Sequence, residues 1–198
     1  MIDCKPVTMP MATTSAASSS GGVLLSDPAR YRSIVGALQY ITLTRPDVAY
    51  SINQACQFMY APSKDHWTLV KRILRYLQGT KDQGLFISRS DSLQLQAFSD
   101  VDWAGDSADR KSKGGYAIYM GPNLISWSSK KQNTVACAST ESEYKAIADA
   151  CAELTSLHFL FAELSIPIPQ CQSSGVTILV PLISHSILCF IPIQNMLK

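Results

Sequence analysis

The hydrophobic period of this chain changes twice along its length, and that restricts what it can fold into. From Tyr31 to Leu77 apolar residues recur at helical spacing. From Gly84 to Ser128 they run in short, alternating, β-rich stretches, and from Thr140 the helical period returns. A helical segment therefore precedes a meander of three strands and one long helix. The chain has 198 residues, room for one ordinary domain or one and a half. Apolar residues make up 46%, enough to bury a core, and this excludes a disordered tail, a collagen or a coiled coil.

The helical part has clear punctuation. Residues 9–23 (MPMATTSAASSSGGV) are small and uncharged and read as flexible linker. Ser26-Asp27-Pro28 opens a helix that carries Tyr31, Ile34, Val35, Leu38 and Ile41. Arg45-Pro46-Asp47 opens a second, with Val48, Ile52, Ala55, Cys56 and Met59 on one side, ending before Pro62. Ser63 to Gly79 is a third, striped by Trp67, Val70, Ile73, Leu74 and Leu77, with Gly79 placed as its C-cap. Beyond it, Gly84–Ser88 reads as a short strand and Leu93–Asp100 alternates with period two. Gly115–Met120 and Asn123–Ser128 form a hairpin about Gly121-Pro122. The long helix runs from Thr140 to Leu164, with Ser139-Thr140 as caps and Glu141 and Glu143 in its first turn.

From Leu164 to Leu197 there is no Asp, Glu, Lys or Arg. Gly175–Gln194 has the length of a bilayer span, but Pro181 and Pro192 interrupt it and no basic cluster flanks it. The N-terminus, with Asp3 and Lys5 before any apolar run, is not a secretory signal. The six cysteines form no Cys-x-x-Cys pair, and His66, His158 and His185 do not cluster with them. Neither a zinc site nor a disulfide framework is expected, and a reducing intracellular setting, cytoplasmic or nuclear, is.

Two carboxylates stand apart from solvated turn acids such as Asp106 and Asp109. Asp100 ends the alternating strand and shares its parity with Phe98, read as a core residue, so it is expected on the covered face. Glu143 falls within roughly 40° of Ile147, Ala150, Leu154, Leu157 and Phe161 around the helix axis, while Glu141 lies opposite. A carboxylate on a packing stripe is costly unless it is paired or bound to a cation. Asp100 and Glu143 together suggest a Mg²⁺ site between strand end and helix start, incomplete because two acids hold two ions poorly. Basic side chains surround them in sequence: Lys64, Lys71 and Arg75 on the third helix, Arg110, Lys111 and Lys113 after the strand, and Lys130-Lys131 after the hairpin. Three such groups are consistent with contacts to a phosphate backbone. No Gly-x-Ser-x-Gly elbow and no P-loop is present.

The segments YRSIVGALQYITLTRPDVAYSINQACQFM, HWTLVKRILRYLQGT, AFSDVDWAGDSADRKSKGGYAIYMG and NLISWSSKKQNTVACASTESEYKAIADACAEL resemble the C-terminal part of copia-type retrotransposon Pol polyproteins. The resemblance extends to about Pro169. It implies a helical connector from the reverse-transcriptase module over 26–82, after a linker at 1–25, and a truncated ribonuclease H-like domain at 83–169. That α/β domain, three antiparallel strands and a long helix, would cleave RNA in RNA–DNA hybrids with Mg²⁺. By motif, Asp100 in SDVDWAG resembles the family's first catalytic aspartate and Glu143 in STESEY its glutamate. The polymerase Asp-Asp pair lies upstream in the family. The third acid, in a Cys-Asp-Asn strand, the Phe-His-x-x-Thr-Lys-His segment and the final aspartate are absent here.

Codon phase explains their absence. Taken from the third base, codons for Ser173–Ile178 can encode Val-Trp-Cys-Asp-Asn. In that same phase, those for Cys189–Lys198 can encode Phe-His-Ser-Asn-Thr-Lys-His-Val-Glu. Residues 170–198 then read as an out-of-frame tail, and the domain as incomplete at its C-terminus, lacking a central strand. With two of the family's four acids, little or no hydrolysis is expected. A non-catalytic nucleic-acid-binding remnant, a tail-anchored membrane protein and a functionless relic are the alternatives.

Overall fold

A computed structural model describes residues 5–11, 23–105, 109–166, 177–182 and 185–190, the last two runs as backbone. The chain divides into two compact units, 1–85 and 86–198.

The first unit is three helices. In α1 (Pro28–Ile41) the Asp27 carboxylate accepts from the Arg30 N–H at 3.0 Å, and Pro28 pre-sets the first turn. In α2 (Pro46–Cys56) proline again holds the first position. In α3 (Lys64–Gly79) Ser63 and His66 form a reciprocal capping box. Tyr31, Val35, Leu38, Val48, Ile52, Ala55, Val70 and Ile73 bury completely or nearly so, which is the stripe the spacing foretold. The Tyr31 hydroxyl donates to the Ala55 carbonyl at 2.8 Å, and its burial pushes the phenol well above its ordinary pKa.

Two sequence expectations change here. Gly79 is the last residue of α3, and the cap is Thr80, whose N–H bonds to Tyr76 and Leu77 carbonyls. The backbone at Gly79 is not left-handed. Its reason for being glycine is a neighbour: a Cβ there would stand 2.8 Å from the Cβ of Pro6. The proposed linker is also partly held. Arg75 Nε donates to the Lys5 carbonyl at 2.8 Å and Arg72 Nε to that of Met9 at 3.2 Å. Leu24 forms a bridge with Ser63, and residues 12–22 lie outside the described residues.

The second unit is a sheet with one helix on it. β1 (Leu95–Asp102), β2 (Lys113–Met120) and β3 (Asn123–Lys131) form the expected antiparallel meander. The hairpin turns at Gly121-Pro122, where Gly121 takes φ +57° and a Cβ would press to 2.6 Å from the Ser92 carbonyl. Gly84–Ser88 is not a strand. The Asn123 side chain accepts from the Ser88 N–H at 2.8 Å and donates to its carbonyl at 2.9 Å, so this stretch needs no ladder there. α4 (Ser139–Glu163) starts one residue earlier than expected, with Ala138 at the cap position and no side-chain cap bond. Glu141 instead reaches back past the helix end, accepting from the Cys137 N–H at 2.8 Å.

The three expected strands are present, and the sheet goes on past them. β4 (Thr177–Leu182) runs parallel to β1, pairing Gln96 with Thr177 and Phe98 with Leu179. β5 (His185–Phe190) pairs antiparallel to β4. The order is β3-β2-β1-β4-β5, so a strand does lie beside β1, where an open edge was expected. The Thr-Ile-Leu-Val run is rich in β-branched residues and suits a strand whatever its origin. Among the described residues no helix is long and apolar enough to cross a membrane.

Candidate active-site end of the sheet

The covered face of the sheet is the one under α4. Ala97 and Ile118 pack with Cys151 and Leu154, and Leu95, Tyr116, Ile125, Ile147 and Leu157 close around them. Strand alternation then assigns sides. Ala97 and Ser99 are buried, whereas Phe98 is 36% exposed and Asp100 is exposed. The shared parity of Phe98 and Asp100 is as expected, but their face is the other one. Phe98 is no core residue: small Ala97 lets α4 approach on one side, and Phe98 meets Tyr119 edge-on at 5.6 Å on the other.

The neighbourhood of Asp100 is open. Its carboxylate accepts from the Val101 N–H at 2.8 Å. Its cross-strand partner is Gly115, which presents no side chain on that face. A Cβ at Gly115 would come to 3.0 Å from the Ser128 carbonyl. The Gly114-Gly115 pair was a signal that sequence reasoning passed over, since Gly114 serves the opposite side, where a Cβ would sit 3.5 Å from Ala146.

Glu143 lies where the wheel put it. Ser142, Ala146, Ala150 and Leu154 are the buried stripe of α4, and Glu143 falls within that arc at its N-terminal end, half-buried. Glu141, opposite, pairs with Lys145 at 2.6 Å, and that contact, with the Cys137 N–H, holds its pKa below the usual carboxylate value. The first turn of α4 is anchored to the sheet by Gln132: its N–H donates to the Ser112 carbonyl at 2.8 Å, its side chain to that of Ser142 at 2.9 Å. Because Gly114 pairs with Val101 and faces Ala146, Asp100 and Glu143 share one end of the sheet. They approach it from opposite faces of β1. Among the described residues no group of three or more His, Cys, Asp or Glu side chains is placed to hold a metal ion. Among the described residues the donor set does not fit a pair of Mg²⁺ ions, which need several shared carboxylates.

Comparison with known proteins settles the family. The chain is 46% identical over 184 residues to the retrovirus-related Pol polyprotein from transposon RE2 of Arabidopsis thaliana, covering 90% of this chain. It belongs to the Pol polyproteins of copia-type retrotransposons. The chain spans only 13% of that polyprotein, so it is a Pol fragment. It is 41% identical over 137 residues, 69% of the chain, to the Pol polyprotein from transposon TNT 1-94 of Nicotiana tabacum, and spans 10% of it. It is also 48% identical over 155 residues to an uncharacterized mitochondrial protein of Arabidopsis thaliana, covering 78% of this chain and 64% of that one. No family model and no solved structure matches.

The basic residues of the Pol fragment fall into two sets, one per unit. Lys64, Lys71 and Arg75 lie on α3 in the first; Lys64 and Lys71 are exposed, and Arg75 is engaged by Lys5. The other five gather at the Asp100 end of the sheet. Lys113 and Lys131 are cross-strand partners, Lys131 reaches Asp109 at 2.9 Å, and Lys130 is exposed beside it. Arg110, with φ +57°, and Lys111 sit in the loop that feeds β2. Asp109 is the turn residue expected, also accepting from the Lys111 N–H at 3.1 Å; Asp106 lies outside the described residues. Asp102 folds back over Gly105, where any Cβ would collide with its carboxylate.

Proposed function

We propose that the ribonuclease H-like unit of this Pol fragment binds nucleic acid at the Asp100 end of the sheet and hydrolyses RNA in RNA–DNA hybrids weakly or not at all. The observation that carries this reading is the meeting of Arg110, Lys111, Lys113, Lys130 and Lys131 at one end, around a strand tip opened by Gly115. Cations without deep burial suit phosphate contacts, which tolerate water and need no base readout. Against hydrolysis stands the placement of Asp100 and Glu143 on opposite faces of β1. Mg²⁺ in the family's manner would draw on both, and around neither do three or more such donors gather among the described residues.

The test is a labelled RNA–DNA hybrid with and without Mg²⁺. We expect salt-dependent binding that survives Asp100→Asn and Glu143→Gln, and cleavage at background. Replacing Lys130 and Lys131 by Gln should weaken binding and lower the salt slope by about two. Cleavage abolished by either acid substitution would overturn the non-catalytic reading and restore both acids as catalytic residues. A cytoplasmic or nuclear setting belongs to the same proposal.

A further inference from the structure

One face of α3 is basic. Lys64, Lys71, Arg72 and Arg75 fall within about 100° of one another around the axis, opposite the buried Val70 and Ile73. Such a face on a Pol fragment suits a phosphate backbone, yet the two arginines are engaged from within the chain. The acceptors are main-chain carbonyls of an irregular segment, Lys5 and Met9, four residues apart. Among the described residues neither guanidinium pairs with a carboxylate. The segment is seated by Pro6 against Gly79, the one helical position there with no Cβ to hold it off. It is lightly bound, since Lys5, Pro6, Thr8 and Met9 are exposed, Met9 to 62%.

We propose that residues 5–11 are a displaceable strap that masks the Arg72–Arg75 pair of α3 from a nucleic-acid phosphate backbone. Neutral carbonyls satisfy the Nε–H donors without neutralising the charge. A phosphate does both, with bonds roughly twice as strong as neutral ones. The strap therefore sets a threshold: weak polyanions leave it in place, and a backbone offering phosphates to several of the four cations at once lifts it. Gly79 is the residue that permits masking, which gives it a role that capping does not. The inference rests on the nucleic-acid reading above but concerns the other unit.

The full chain, Gly79→Ala, a chain beginning at residue 12, and Gly79→Ala carrying Arg72→Gln and Arg75→Gln are compared by fluorescence anisotropy on a labelled RNA–DNA hybrid. A Cβ at residue 79 displaces Pro6, so Gly79→Ala and the shortened chain should each bind at least about threefold tighter at low salt. Their salt slope should steepen by about two, the value for two newly available cations. The double arginine substitution should cancel both gains. Should Gly79→Ala fail to fold, the shortened chain carries the comparison.

Affinity unchanged in both unmasked forms, or a gain that persists without the arginines, overturns the strap. If binding depends on Lys130 and Lys131 and ignores the strap, the nucleic-acid reading stands and this one falls. If unmasking tightens binding while those lysines do not matter, the reverse holds. Absence of binding by every form rejects both. Equal tightening on anionic phosphatidylserine vesicles but not on hybrid rejects nucleic acid as the partner.

Discussion

Arg45 shows how much one side chain organises. The residue is 7% exposed, and its guanidinium forks onto Asp47 at 2.9 and 2.8 Å. It also donates to the carbonyls of Thr80 at 2.9 Å and Gln83 at 3.2 Å, and to the Thr80 hydroxyl at 2.8 Å. One residue thereby ties the start of α2 to the end of α3. Arg45→Ala orphans those acceptors and should cost about 2–4 kcal/mol in urea unfolding, with Arg45→Lys recovering only part because it has no fork. Asp47 is held below the usual carboxylate pKa, first by the Arg45 hydrogen bond and then by that of Tyr76. Its contribution is complete above about pH 4 and disappears as pH falls through the lowered folded value. His66 adds acid sensitivity of the same sign by a different route. Its Nδ1 accepts from the Ser63 N–H at 3.0 Å, so the ring must be neutral, and burial lowers its pKa against a smaller opposing effect of Asp65. Lys64 flanks it on α3, and Phe58 stacks on its face at 3.7 Å. The folded chain binds the proton less readily than the unfolded one, so stability is full above about pH 6.5 and declines below it. Melting of His66→Gln, which keeps a capping acceptor without titrating, should lose that pH dependence between pH 8 and 5.5. An unchanged slope would assign the effect elsewhere.

At the level of elements, the helices were legible because their signals are local. Proline at Pro28 and Pro46 and the serine at Ser63 mark starts that backbone chemistry enforces anywhere. What the sequence concealed depended on neighbours far along the chain. Gly79 looks like a cap until Pro6 is seen beside it, and Gly84–Ser88 looks like a strand until Asn123 takes its hydrogen bonds. Asp100 illustrates the same limit at the site. Period two gives parity, but which face α4 covers is a tertiary choice, decided by small Ala97 rather than large Phe98. The wheel succeeded for Glu143 because a helix has one packing stripe, which Ala150 and Leu154 identify unaided. That stripe is also where α4 is most vulnerable. Leu154 is 1% exposed, and Leu154→Ala should cost about 2–5 kcal/mol by denaturant unfolding, while exposed Ala152→Ser should change little.

For the whole molecule, the tail remains the place to look next. If residues 170–198 are read out of frame, the encoding DNA must contain Val-Trp-Cys-Asp-Asn in the next phase over the codons for Ser173–Ile178. Sequencing the gene and its transcript decides this, and a silent phase without those codons ends the idea. Restoring the frame should then raise Mg²⁺-dependent cleavage of a hybrid above that of the present chain, because it returns the Cys-Asp-Asn aspartate to the site. The pairing of β4 with β1 carries a separate consequence, for the order of events during synthesis. Gln96 finds Thr177 only after the intervening chain, including all of α4, has left the ribosome. Closing a loop of that length is entropically slow, and non-local parallel pairing lags behind local hairpins. Until then β1 is a bare edge, able to accept a strand from a neighbouring nascent chain as readily as from its own. Truncation products ending before residue 177 should therefore accumulate as aggregates.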